Sequence, residues 1–231
     1  MKPLKVFRAH SKWIEISWPK EISREILSEQ LAVRQFLDTE YAEGIKEIRM
    51  GFNTISLKLG LPITSVEAQE LLDEIQQIPV PEILQKGKTW EIPVCYDLSF
   101  AKDLTKLAGL HGLATEEVVD IHSKTPYFLH FYGFLPGFMY LGGLDERLFT
   151  PRKKTPDRSM PEGTVAIGGQ QTGIYPTESP GGWYAIGRTP VRTFVSGQAD
   201  ATMPAVGDTI FFKPITKEEF ASFPNHFPPA R

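Results

Sequence analysis

The first 80 residues alternate between strand-like and helix-like patterns of apolar positions. Two-residue alternation predicts four strands, at Lys5–Arg8, Trp13–Trp18, Ile45–Met50 and Thr54–Leu59. Apolar residues at helical spacing predict a helix over about Ser23–Leu37 and a second one after Thr64, where Glu67 fits a capping box. The resulting order, β-β-α-β-β-α, indicates a small α+β unit.

The next segment changes from strand to helix. Thr89–Tyr96 alternates as a strand, and Ser99–His122 has the pattern of two helices. Gly109 and Gly112 are predicted to separate these helices, and Thr115 is predicted to begin the second.

Glycine, proline and aromatic residues crowd the stretch Pro126–Arg192. Tight turns are predicted at Leu135–Phe138, Met160–Gly163 and Ser179–Gly182, because Pro favours φ of about −65° and Gly accepts positive φ. Short strands are predicted at Thr164–Ile167, Thr172–Tyr175, Trp183–Ile186 and Thr209–Lys213. This alternation favours a twisted, strongly curved sheet. The proline-rich tail Phe223–Arg231 is predicted to be irregular.

Composition narrows the function classes. The 231 residues are 41% hydrophobic and carry a net charge of −3, so we expect no nucleic-acid partner. The single cysteine, Cys95, excludes an intrachain disulfide and fits a reducing compartment. Because the sequence shows neither a signal peptide nor a membrane span, we expect a cytoplasmic protein with no membrane partner.

Common catalytic motifs are missing. The sequence contains no P-loop, no nucleophile elbow and no dinucleotide-binding glycine motif. Its five histidines lack the close spacing of metal ligands, so no metal site is expected. If ATP takes part, we expect it to be held by, or shared with, a partner.

Four polar residues of the β-rich half are candidates for a site. The amide of Gln171 can bind a small amide or carboxylate, or it can satisfy the backbone at a bulge. The guanidinium of Arg188 can grip a carboxylate or form an internal salt bridge. Tyr175 is either a ligand contact or a core aromatic, and His130 either a base or a satisfied core histidine.

Other residues favour structural roles. His122 ends a helix, where a cation would complement the helix dipole. The aromatic residues around Pro136 and Gly137 suit a core or a subunit interface. A basic cluster interleaved with acids is typical of a solvated loop, with anion binding the minor alternative; its members are Arg147, Arg152, Lys153, Lys154 and Arg158.

Several long blocks within residues 134–190 resemble the family of bacterial 5-oxoprolinase B subunits, also known as KipI or allophanate hydrolase subunit 1. They are Phe134–Leu144 (FLPGFMYLGGL), Thr150–Arg152 (TPR), Pro161–Gly169 (PEGTVAIGG), Gln171–Pro176 (QTGIYP), Ser179–Trp183 (SPGGW) and Ile186–Pro190 (IGRTP).

This resemblance implies an α+β fold. A small N-terminal α/β sandwich domain, residues 1–85, would precede a cyclophilin-like β-barrel domain, residues 86–231. It also implies two partners, the C subunit of the KipA (allophanate hydrolase subunit 2) type and the A subunit of the lactam-utilisation type. Such subunits together open 5-oxoproline to glutamate with ATP.

The sequence departs from the family pattern at two places. Asp157 occupies a position where an arginine is common, and Thr193–Gly197 lacks the usual Phe-Asp-Pro. If these positions contact the substrate or a partner, the family resemblance does not determine which substrate this chain uses.

Three functions are therefore carried forward. The first is a non-autonomous subunit of an ATP-dependent lactam hydrolase, and the second is an inhibitor of a sporulation-type histidine kinase. The third is carboxyl transfer, as in urea carboxylase. For the first, we expect a site at the mouth of the barrel, with Gln171, Tyr175 and Arg188 binding the substrate and His130 and Arg188 as catalytic candidates.

Overall fold

The computed structural model describes residues 1–80, 87–194, 203–228 and 230. The chain forms two compact units, Met1–Lys86 and Gly87–Arg231. Both units mix helices with mainly antiparallel strands, which confirms the predicted α+β content. Within the described residues, no helix is long and apolar enough to cross a bilayer.

The N-terminal unit has the predicted element order. Its elements are β1 (Lys5–His10), β2 (Trp13–Ser17), α1 (Arg24–Glu40), β3 (Ile45–Met50), β4 (Thr54–Leu59) and α2 (Ser65–Gln76). The strands form one antiparallel sheet in the order β1-β2-β4-β3. Alternate residues of the two central strands, among them Ile14 and Ile55, are fully buried in a core that α1 and α2 complete.

Both helices of this unit begin where the sequence predicts. The hydroxyl of Ser23 accepts a hydrogen bond from the Ile26 amide at 3.3 Å and caps α1. At α2 the Thr64 hydroxyl accepts from the Glu67 amide at 3.2 Å, while the Glu67 carboxylate accepts from the Thr64 amide at 2.7 Å. The predicted capping box is therefore confirmed.

The C-terminal unit is built on a seven-stranded sheet. Its strand order is β12-β9-β10-β7-β6-β13-β5, and β11 pairs with β8 in a small separate ribbon. The elements are β5 (Thr89–Val94), α3 (Leu104–His111), α4 (Thr115–Lys124), β6 (Tyr127–Tyr132), β7 (Met139–Gly142), β8 (Asp157–Met160), β9 (Thr164–Gly168), β10 (Gln171–Ile174), β11 (Ser179–Gly181), β12 (Tyr184–Arg188), β13 (Thr209–Pro214) and α5 (Lys217–Ser222).

The two outermost strands of this sheet meet. Just beyond β5, the Cys95 amide donates to the Arg188 carbonyl of β12 at 2.8 Å, and the Arg188 amide donates back at 2.9 Å. This pair of hydrogen bonds brings the two ends of the sheet together, so the sheet is strongly curved, as predicted. Its likeness to cyclophilin stays a prediction.

Some local predictions are wrong. Ser179–Gly182 was expected to be a turn, but Ser179–Gly181 is the strand β11. The helix α5, whose Thr216 cap and Glu219 form a capping box, was not predicted; the tail that follows it has no helix or strand in its described residues, 223–228 and 230, as expected. Gly109 lies inside α3, and Gly112 alone ends that helix, with φ 66°. The expectations for Pro81, Val195–Gly197 and Arg231 fall outside the described residues.

Candidate functional site

An open cavity of about 440 Å³ lies where several loops of the C-terminal unit converge. We call it the aromatic pocket. Its lining comes from the β6–β7 loop, β7, the loop before β8, the end of β10, β11 and the start of β12. The lining residues are Phe134, Phe138, Tyr140, Arg152, Lys153, Pro156, Tyr175, Pro180, Gly181, Gly182 and Trp183.

The rings of the pocket are packed edge to face. Phe138 is central, with ring centroids 4.8 Å from Tyr175 and 5.6 Å from Trp183, at interplanar angles of 78° and 89°. Tyr140 meets Trp183 at 5.6 Å and 78°. This arrangement aligns ring edges with ring faces and fixes each wall. The pocket therefore offers a rigid apolar surface of small-molecule size.

One cation of the pocket is available to a ligand. The guanidinium of exposed Arg152 lies 5.7 Å from the centre of the Trp183 ring, within cation–π distance. Within the described part of the chain, Arg152 forms no ion pair. An anionic group in the pocket would therefore meet an uncompensated charge.

The pocket tyrosines stay protonated at neutral pH. Burial raises the pKa of Tyr175 to about 12, and the positive charge of Arg152 opposes that rise only in part. Burial likewise raises the pKa of Tyr140, and the positive charge of Arg152 opposes that rise in part. Both hydroxyls are thus hydrogen-bond donors and not bases in the resting protein.

The second pocket cation, Lys153, is already neutralised. Its ammonium lies 2.6 Å from the Asp103 carboxylate and 2.5 Å from that of Asp157, and only 9% of its side chain is exposed. Burial disfavours its charge, but the two carboxylates outweigh burial and raise the Lys153 pKa. Asp103 also accepts the Ala185 amide at 2.8 Å. Lys153 therefore anchors the pocket wall to β12.

Asp157 belongs to this anchor. Burial would raise its pKa, yet hydrogen bonds from Lys153 and Lys102 lower it overall. The departure from the family pattern at this position thus supplies an ion-pair partner for Lys153.

The four residues predicted as the site do not converge on one cavity. Tyr175 lines the aromatic pocket. Gln171 is buried at the start of β10, and its Nε2 has no hydrogen-bond partner among the described residues. His130 is buried on β6 beside the rings of Phe128 and Phe131, and burial lowers its pKa to about 4. Their catalytic and substrate-binding roles stay predictions.

Arg188 lines a different groove of about 280 Å³, with Glu162 and Arg192 among its other residues. Its Nε donates to the Glu162 backbone carbonyl at 2.7 Å. Its guanidinium lies 5.8 Å from the Phe100 ring and 5.9 Å from the Phe220 ring. The arginine is therefore held by a carbonyl and two rings, and the alternative of an internal salt bridge is not seen among the described ion pairs.

His122 has a structural role for a reason that the sequence did not indicate. Its Nε2 lies 2.9 Å from the Thr172 hydroxyl, and its Nδ1 lies 2.8 Å from the Tyr96 hydroxyl. Because Thr172 donates to the Ala166 carbonyl at 3.1 Å, Nε2 is the protonated nitrogen and Tyr96 donates to Nδ1. Complete burial lowers the His122 pKa to about 3. The residue is a neutral core histidine, and the expected helix-terminal cation is wrong.

The sequence analysis singled out several residues of the pocket but did not predict that they share one cavity. Phe134, Phe138 and Tyr140 stood out as an apolar patch, whereas Arg152 was assigned to a solvated loop. The Lys153–Asp103 pair was missed, because 50 residues separate its members. In the part of the chain that the structure describes, no group of three His, Cys, Asp or Glu residues can hold a metal ion.

Comparison with known proteins gives a consistent family. Residues 4–204 match the family described as the carboxyltransferase domain, subdomain C and D. Proteins named as the B subunit of 5-oxoprolinase are similar to the chain. The Escherichia coli O157:H7 protein is 44% identical over 71% of this chain and 75% of its own length. For the Haemophilus influenzae protein the values are 37%, 74% and 79%. The Bacillus subtilis protein is 42% identical, with 58% of this chain spanning 55% of that protein.

Solved structures share the fold. A conserved uncharacterized protein from Pyrococcus horikoshii is 36% identical, with a TM-score of 0.55 over 94% of this chain and 100% of its own. The Kluyveromyces lactis urea amidolyase gives a TM-score of 0.79 at 20% identity, and the match spans 94% of this chain but 15% of that protein. At that identity the likeness shows the fold alone.

Proposed function

We propose, from the premise that this chain belongs to the family of 5-oxoprolinase B subunits, that it is one component of an ATP-dependent complex that hydrolyses 5-oxo-L-proline to L-glutamate. Its partners are the C subunit of the KipA type and the A subunit of the lactam-utilisation type, which hold ATP or share it with this chain. The naming of the relatives as B subunits supports an assembly of several different chains.

The observation that carries the proposal is the aromatic pocket with Arg152, which forms no ion pair among the described residues. A five-membered lactam with a carboxylate has an apolar ring and one negative charge. The rings of Phe138, Tyr175 and Trp183 supply an apolar surface for such a ring. Arg152 supplies the cation for the carboxylate, and the protonated hydroxyl of Tyr175 can donate to the lactam carbonyl.

This chain's part in catalysis is to bind and polarise the lactam. A hydrogen bond from Tyr175 to the carbonyl oxygen would strengthen as negative charge develops there during attack on the amide carbon. The raised pKa of Tyr175 fits a donor and argues against a base. The proton acceptor and the ATP chemistry belong to the partner proteins in this proposal.

The test is glutamate release by the reconstituted three-protein complex with ATP, in which Arg152→Lys replaces the wild-type chain. Lysine keeps the charge but loses the planar fork, so we expect kcat/KM to fall about 10- to 100-fold. Arg158→Lys is the matched control, because Arg158 is an exposed arginine of the same basic cluster and does not line the pocket. Its activity should match wild type.

The same assay separates the two candidate carboxylate sites. Arg188→Lys tests the arginine that the sequence predicted to bind the carboxylate. If Arg188→Lys loses activity while Arg152→Lys keeps it, the carboxylate binds beside Arg188 and the aromatic pocket is not the substrate site. An inactive complex of the three wild-type proteins would reject the lactam proposal itself.

Carboxyl transfer is the second candidate, favoured by the description of the matched family as a carboxyltransferase domain. It requires a carboxylated carrier, so incubation of the complex with carboxybiotin and urea distinguishes it from lactam hydrolysis. Inhibition of a histidine kinase stays a prediction, and purified kinase with and without this chain is its direct test.

A further inference from the structure

The loop between β6 and β7 contains a rare backbone conformation. The Leu135 amide donates to the Gly133 carbonyl at 2.6 Å, and Phe134 between them has φ 61°. This hydrogen bond and this angle define a γ-turn of the uncommon, strained form. Among the described residues, Phe134 is the one non-glycine residue with positive φ.

The surrounding loop holds this conformation in place. The Phe138 amide donates to the Leu135 carbonyl at 3.0 Å across a turn in which Gly137 has φ 83°. The Gly133 amide donates to the Phe138 carbonyl at 3.2 Å. Replacing Phe134 by another residue with a Cβ atom would relieve no strain, because the clash comes from Cβ itself. Glycine would adopt this conformation at no steric cost.

The side chain of Phe134 adds little to the stability of the fold. It is 63% exposed, and its ring meets the ring of Phe138 edge on, with centroids 5.6 Å apart at 88°. A bulky ring is thus kept in water by a strained backbone, at the rim of a cavity that it lines. Strain of this kind persists mainly where it serves a site.

We propose that Phe134 is a specificity-determining wall of the aromatic pocket, which closes over the apolar face of a small carboxylate-bearing ring. This inference rests on the proposed function of the pocket. A bound ring would cover part of the exposed surface of Phe134, next to the wall that Phe138 and Trp183 form. Ligands without a ring of this size would leave Phe134 in water and bind more weakly.

The first arm of the experiment isolates the backbone strain. Phe134→Ala and Phe134→Gly both remove the ring, so their difference in thermal midpoint reports the cost of Cβ at φ 61°. We expect the glycine variant to melt about 2–4 °C higher than the alanine variant. Phe7 is the matched control, since it is 65% exposed but lies on β1 with no positive φ. There the glycine variant should melt lower than the alanine variant.

The second arm measures ligand use by the reconstituted complex. Both Phe134 variants should raise the KM for 5-oxo-L-proline about three- to tenfold while kcat is kept, because uniform binding is lost. Phe134→Trp should restore KM, and Phe7→Ala should not change it. If Phe134 has only a structural role, the more stable glycine variant should have a lower KM than the alanine variant.

Each failure has its own reading. An active wild-type complex whose KM is unaffected by Phe134→Ala overturns the assignment while the proposed function stands. Failure of Phe134→Ala to assemble with the two partner proteins, seen by size-exclusion chromatography, also overturns it and makes Phe134 a partner contact. A wild-type complex that uses no lactam rejects the proposed function; the assignment then fails with it, whereas the melting comparison still measures the strain.

Discussion

Acid should destabilise the C-terminal unit through its buried histidines, and His122 provides the clearest test. This residue is fully buried, stacked on Phe212 with ring centroids 4.6 Å apart, and bonded to Thr172 and Tyr96 through its two nitrogens. Protonation would add a hydrogen to Nδ1, which accepts the hydrogen bond from Tyr96, so the charged ring would lose that bond. The folded protein therefore keeps His122 neutral at pH values where an unfolded chain protonates it.

The size of the effect follows from linkage. The folded pKa, about 3, lies below the ordinary value of 6.5, so the unfolded state binds more protons between these values. The contribution of neutral His122 to the stability of the fold is fully present above pH 6.5 and is lost as the pH falls towards 3. Between pH 7.5 and pH 5.5, one such histidine lowers the free energy of unfolding by about 1.4 kcal/mol. His130, with a pKa of about 4, contributes a similar loss, so the pair gives about 2.8 kcal/mol.

The assay is hydrogen exchange of the β9 and β10 amides at pH 7.5 and pH 5.5, which reports the stability of this unit by itself. His122→Gln keeps an N–H donor but has no group that titrates in this range. The variant should lose about 1.4 kcal/mol less than wild type between the two pH values. Because each protein is compared with itself at the two pH values, a change in the variant's overall stability does not affect this result. An unchanged pH dependence in His122→Gln would refute the assignment of a neutral buried histidine.

Two further predictions concern stability in urea. Lys153→Met leaves two carboxylates of Asp103 and Asp157 without their shared cation and should cost about 2 kcal/mol or more, with partial recovery when both acids are also changed to asparagine. Gly163→Ala places a Cβ 2.2 Å from the Thr189 carbonyl oxygen at φ 78° and should also cost about 2 kcal/mol or more. Gly109→Ala is its control: a Cβ at this position inside α3 would meet no atom within 4 Å outside its chain neighbours and its own helix backbone, so stability should rise by about 0.5–1 kcal/mol. Equal effects at both glycines would contradict the argument.

The N-terminal unit was predictable because its signals are local. Strand alternation and the capping residues Ser23 and Thr64 act over a few positions, and every element of this unit follows from them. In the C-terminal unit, β11 is three residues of Ser-Pro-Gly, too short and too poor in β-formers to show a period. The Cys95–Arg188 pairing joins residues that are far apart in the chain, so neither local sequence contains a pattern that predicts it.

The candidate site was less predictable because tertiary packing decides it. Tyr175 and Arg188 lie on either side of Thr164, whose carbonyl accepts the Tyr175 amide at 2.9 Å and whose backbone pairs with Arg188. Both residues were expected in one site at the mouth of the barrel, but the two side chains line separate grooves. For Arg152, sequence alone could not show that its charge would face Trp183 instead of a neighbouring acid.

The glycines of the β-rich half connect its sequence to the pocket. On β9, Val165 and Ile167 point into the main core, so Gly168 belongs to the opposite, pocket-side face. A Cβ on Gly168 would lie 2.5 Å from the Trp183 ring, and a Cβ on Gly181 would lie 2.3 Å from the Tyr175 hydroxyl. The absence of a side chain at these two positions lets large rings lie directly against backbone. The glycine-rich pattern is therefore what makes room for the aromatic walls, and with them for the proposed ligand.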